Sequence, residues 1–177
     1  MTYEQKVEAI KKKVPGFSHE QAEATVLAVD AFTGFLYSAI RAGKHRDARD
    51  MAQTIEEYLE YAPKYRGTIY RGISVSEKHA REIIDYYKSG YYGEMQGISS
   101  WTANLNVARE FADYGAIGII FQIRESRHGV SIRDISRDGR YEDEVLESSG
   151  VWYKLGGSIE EIIIDGKTYT MIPLKEI

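Results

Sequence analysis

Hydrophobic spacing changes once along this 177-residue chain, at Pro63, and that change restricts what it can fold into. Before Pro63 apolar residues recur at helical intervals; after it they fall in short runs divided by Gly, Ser, Asn and Asp, as strands and turns require. The opening Met1-Thr2-Tyr3-Glu4-Gln5-Lys6 reads as a charged helix. Ser18-His19-Glu20-Gln21 is a capping-box pattern, and the spacing over 22–42 predicts one helix that Gly43 ends. A second helix is expected over 45–62, with Met51, Ile55, Tyr58 and Leu59 on one face. Beyond Pro63 the expected order is a strand over 68–73, a helix capped by Ser76 and reaching Lys88, a strand over 97–102, and a helix capped by Asn104. That helix is expected to turn Leu105, Ala108, Phe111 and Ala112 inward. A buried strand over 118–124, a basic loop-rich stretch over 126–140 and a short strand over 142–146 follow. Strands over 159–165 and 167–174 close the chain through an Asp165-Gly166 hairpin turn. The expectation is a single α+β domain, residues 1–63 forming a helical layer and 64–177 a strand-rich core of antiparallel sheets.

Composition removes several function classes. The chain has no cysteine, so it has neither a disulfide framework nor a thiolate metal site nor a cysteine nucleophile, which fits a reducing cytoplasm. His19, His45, His79 and His128 are scattered without metal-ligand spacing, and surface positions are expected for most. No apolar signal segment opens the sequence and no run approaches the roughly 18 apolar residues of a membrane span, so a soluble cytoplasmic protein with no membrane partner is expected. A net charge of -4 disfavours a broad nucleic-acid footprint. Neither a GxGxxG nor a phosphate-loop glycine-lysine motif is present, nor a Gly-x-Ser-x-Gly elbow.

Three polar marks interrupt the apolar strands. Arg71, in Ile69-Tyr70-Arg71-Gly72-Ile73, shares a strand face with two isoleucines, so its guanidinium either makes a structural ion pair or holds an anion such as phosphate. Gly72 beside it leaves room for a ligand at the backbone. Ser100 and Thr102 share a face, with Trp101 on the other, and present two uncharged hydroxyls. Glu142 and Glu144 are expected on one face with Asp143 opposite. Such a cluster is either a solvated acidic edge or a carboxylate pair facing a developing cation, as in glycosyl transfer. Tyr91 and Tyr92, in a glycine-flanked loop, are candidate ligand contacts.

Tyr70-Arg71-Gly72, Ser99-Ser100-Trp101-Thr102 with 107–112 behind it, and Glu142-Asp143-Glu144-Val145-Leu146 resemble, in order and interval, the arginine-serine-glutamate class of mono-ADP-ribosyltransferases found among bacterial toxins and phage proteins. The resemblance spans about 68–174. It implies a split antiparallel β-sheet fold around an NAD cleft, with NAD as co-substrate and no metal. It implies that Arg71 holds the NAD phosphates, that the Gly72 backbone meets the nicotinamide carboxamide, and that Ser100 orients the catalytic glutamate and touches the nicotinamide ribose, with Thr102 supporting its strand. Glu144 is implied to bond the ribose 2'-hydroxyl and stabilise the sugar cation, and Glu142 to face the acceptor. Arg140 and Tyr141, in the loop over 136–141, correspond to the family's substrate-recognition contacts. A glutamate at the position of Glu142 goes with arginine acceptors, which a carboxylate must orient and deprotonate. The implied partners are a target protein with an accessible arginine and an antitoxin or immunity partner. Two alternatives stand beside this: modification of a nucleic acid, for which Arg124, Arg127, Arg133, Arg137 and Arg140 supply local positive charge, and a catalytically silent module of the same fold. Glu147 stands where many relatives carry an apolar residue or proline.

Overall fold

A computed structural model describes residues 1–34, 36–137 and 142–177. The chain forms two compact units. One comprises Met1–Tyr65, Met95–Ser99 and His128–Ser149; the other comprises Arg66–Glu94, Ser100–Arg127 and Gly150–Ile177. No helix among the described residues is long and apolar enough to cross a membrane.

The first unit is built on α1 (Tyr3–Lys13), α2 (His19–Phe32), α3 (Tyr37–Ala42) and α4 (Arg46–Tyr61). Thr2 and Ser18 each complete a capping box with a glutamine three residues on, satisfying two end amides reciprocally. The continuous helix expected over 22–42 is instead two. The Thr33 hydroxyl takes the Val29 carbonyl at 2.9 Å, and Gly34, a poor helix residue, follows it. Gly43, at φ 60°, ends α3 as its composition suggests. Val7, Ile10, Val29, Phe32, Ile55, Tyr58 and Leu59 form the core, and Ile98, Val130, Ile132, Ile135 and Leu146 join it from distant segments.

Ile132 and Ile135 thus bury part of the stretch expected as loop, and a short strand lies within it. That strand, β4 (Val130–Ser131), pairs antiparallel with β5 (Glu144–Glu147). Arg137 fastens the segment to α2 through the Asp30 carboxylate at 3.1 Å.

The second unit is a sheet ordered β2-β1-β3-β8-β6, with β7 also on β8. Its strands are β1 (Gly67–Val75), β2 (Ser99–Thr102, of which Ser99 falls in the first unit), β3 (Ile117–Ser126), β6 (Tyr153–Leu155), β7 (Glu160–Ile164) and β8 (Lys167–Glu176). All its pairings are antiparallel except β3 with β8. The β7–β8 turn forms as expected, Asp165 and Gly166 both adopting positive φ, 49° and 78°. Helices α5 (Glu77–Lys88) and α6 (Leu105–Ala112) start at Ser76 and Asn104, whose side chains cap them.

Helix α6 lies directly on β1. A Cβ at Gly72 would stand 1.8 Å from the Ala108 carbonyl oxygen, so only glycine admits the helix there. The interface is correspondingly small-residue, with Ala108 and Ala112 against Ile120 and Tyr169. Phe111, expected inward, is 50% exposed on the flank of this narrow contact, and Val107 is buried instead.

Candidate active site

In the second unit the site begins with Arg71, half-buried on β1 between β2 and β3. Its Nη1 donates to the Ser100 carbonyl oxygen at 2.7 Å. The two residues that the sequence paired as anion holder and hydroxyl donor are therefore in direct contact. Beside the Gly72 α-carbon the space is taken by α6.

On β2, Trp101 is buried against Tyr153 with ring centroids 5.6 Å apart, which turns the Ser100 and Thr102 side chains to the opposite face. The Thr102 hydroxyl accepts the Asn104 N–H at 3.0 Å, and the Asn104 carboxamide accepts the Asn106 N–H at 3.0 Å. Thr102 thus shapes the corner through which β2 enters α6. After α5, the Tyr91 and Tyr92 side chains are exposed, 61% and 54%. Tyr86 steadies them, its ring 5.3 Å from that of Tyr91 and its hydroxyl donating to the Tyr92 carbonyl.

In the first unit, Glu144 opens β5 and is 5% exposed; its carbonyl accepts the Ile132 N–H at 2.9 Å. Glu142 is half-buried and precedes the strand. The alternation expected to align the two glutamates therefore does not operate, because Asp143 between them has φ 46°. Arg133 lies 3.8 Å from the Asp143 carboxylate. Beyond β5, Glu56 of α4 accepts from the Ser148 hydroxyl at 2.6 Å and the Ser149 N–H at 2.9 Å.

Glu147, 0% exposed, is a buried acid. Burial lowers the Lys64 pKa below its ordinary value, while the charges of Glu147 and Glu60 pull it back up. The Lys64 ammonium also donates to the Leu59 carbonyl near the end of α4. The sequence shows the acid but not this cation, which comes from a distant segment. Arg140 and Tyr141 lie outside the described residues. Among the described residues no group of three or more histidines or acids is placed to hold a metal ion.

No protein-family model matches the sequence. No curated protein matches it either. Solved structures do, and they define the fold as that of the ADP-ribosyltransferases. The chain is similar to HopU1 of Pseudomonas syringae, at 15% identity and a TM-score of 0.73, over 100% of this chain and 88% of that one. It is similar to Vis of Vibrio splendidus in complex with agmatine, at 19% identity and 0.67, over 98% and 84%. It is also similar to exoenzyme S of Pseudomonas aeruginosa, solved with a human 14-3-3 protein and carba-NAD, at 20% identity and 0.65, over 97% and 82%.

Proposed function

We propose that the protein is a mono-ADP-ribosyltransferase of the bacterial-toxin type, which cleaves NAD and transfers ADP-ribose to an arginine of a target protein. The observation that carries this reading is the Arg71 guanidinium, half-buried and fixed on the Ser100 carbonyl at 2.7 Å, in a chain that shares the ADP-ribosyltransferase fold along nearly its whole length. A cation held in that way suits a pyrophosphate, to which a guanidinium presents two parallel donors. NAD as co-substrate is supported by the carba-NAD in exoenzyme S, and a guanidino acceptor by the agmatine in Vis.

Each residue has a distinct task. Arg71 neutralises the NAD phosphates. Ser100 contributes its hydroxyl to the nicotinamide ribose, and the Gly72 backbone meets the carboxamide. Glu144 stabilises the positive charge at ribose C1' as the C1'–N bond breaks and its electron pair leaves with nicotinamide. Glu142 orients the target guanidinium and takes its proton as a guanidino nitrogen bonds C1'. When water replaces the guanidinium, the products are ADP-ribose and a proton, a glycohydrolase side reaction. Arg140 and Tyr141 are assigned to contact with the target.

The test is incubation with labelled NAD and cell lysate, beside a Glu144→Gln protein of matched thermal stability. Loss of one preorganised charge at such a centre is expected to lower nicotinamide release about 100-fold or more. Near-normal turnover by folded Glu144→Gln removes Glu144 from the chemistry.

A further inference from the structure

Three non-glycine residues among those described have positive φ: Gln96, Asp143 and Asp165. Asp165 sits in a hairpin turn that demands it, and Gln96 precedes Gly97 in another turn. Asp143 is different, because it separates two glutamates with separate tasks. Residues two apart on an unbroken strand point the same way, so a regular strand would give Glu142 and Glu144 a common direction. One left-handed residue cancels that relation. β5 starts only at Glu144, whose side chain is buried, while Glu142 stays outside the strand and half-buried.

We propose that Asp143 is a positioning residue whose left-handed backbone sets Glu142 apart from β5, and so fixes how the enzyme divides its turnover between transfer to a guanidinium and hydrolysis. The inference rests on the transferase reading. The backbone rather than the carboxylate carries it, because the ion pair with Arg133 is long, 3.8 Å, and its side chains are 52% and 35% exposed. A surface pair of that kind contributes little. Aspartate and asparagine tolerate the left-handed region, glycine enters it freely, alanine less so, and a β-branched residue least of all.

The experiment compares Asp143→Val, Asp143→Ala, Asp143→Gly and Asp143→Asn with the unaltered protein. Two rates are read for each: nicotinamide release from NAD alone, and ADP-ribose transfer to agmatine. In Asp143→Val the ratio of transfer to hydrolysis is expected to fall about 10-fold, the population shift that left-handed backbone strain implies. Asp143→Ala falls less, and its KM for agmatine rises while that for NAD is unchanged. Asp143→Gly and Asp143→Asn keep the ratio within about twofold, since both retain the conformation and both lose the charge. Should Asp143→Val not fold, the comparison of Asp143→Ala with Asp143→Gly decides. An unchanged ratio in the valine and alanine proteins overturns the inference. So does an equal fall in all four, which assigns the effect to the Arg133 pair. An unaltered protein that turns over no NAD overturns the transferase reading itself, and this inference with it.

Discussion

Arg71 donates to the Ser100 carbonyl 2.7 Å away, and guanidinium geometry distinguishes arginine from lysine at this position. A guanidinium fork can present a parallel pair of donors to phosphate; an ammonium is a point charge. Arg71→Ala is therefore expected to weaken NAD binding about 10- to 100-fold, the range for hydrogen bonds to a charged group, and Arg71→Lys to restore only part of it. Titration calorimetry with NAD measures both, and unchanged affinity in Arg71→Ala makes the residue a structural ion-pair partner. The sequence supplied this arginine because a single charge in an apolar strand is conspicuous. Lys64 was hidden for the opposite reason: a lysine beside Pro63 and Tyr65 in a connecting segment gives no local sign that it feels the charge of a glutamate on β5.

Elements were legible where one local signal decides the backbone and obscure where a distant contact does. The capping box at Ser18, the caps at Ser76 and Asn104 and the Asp165-Gly166 turn are local, and they formed where expected. The break between α2 and α3, the burial of Ile132 and Ile135 and the late start of β5 depend on tertiary partners or on one unusual φ, which hydrophobic periodicity does not record. The seat of α6 on β1 is the sharpest case, since nothing in the sequence around Gly72 marks it as a helix contact. Gly72→Ala must displace α6 backbone, and is expected to destabilise the protein by about 3 kcal/mol or more without NAD present, read as a lowered urea midpoint. An unchanged midpoint would mean that the seat of α6 does not depend on glycine at this position. In the helical core, burial, reinforced by the charge of Asp134, pushes the Tyr58 phenol up to about 12. The unfolded value is near 10, so the folded state holds that proton more tightly. The stabilising contribution is complete below about pH 10 and is lost as pH rises from about 10 to 12. Tyr58→Phe is expected to flatten that alkaline loss, followed by denaturant titration at pH 9 and pH 11; an identical slope in both proteins excludes Tyr58 as its source.

The charge of the molecule as a whole bears on the acceptor. At net -4, nucleic-acid binding would have to come from the arginines before β5, and three of those described there lie beside acids. Arg127 lies 3.9 Å from Glu125, Arg133 lies 3.8 Å from Asp143, and Arg137 holds Asp30 at 3.1 Å. Acids beside these arginines lower the local positive potential that a phosphate backbone needs, which favours a protein acceptor. Label transferred from NAD in a lysate is accordingly expected to be removed by protease and not by nuclease. The same distinction is read from within by Glu142→Gln. If Glu142 acts on the acceptor alone, the variant still releases nicotinamide to water, because water needs neither orientation nor deprotonation by a fixed carboxylate. Transfer to agmatine is expected to fall about 100-fold or more, since the guanidinium keeps its proton near neutrality and stays a poor nucleophile. Loss of neither activity would make arginine the wrong acceptor and bring nucleic acid forward. Equal loss of both would mean that Glu142 and Glu144 act as one catalytic unit on NAD itself, leaving the choice of acceptor to residues outside the pair.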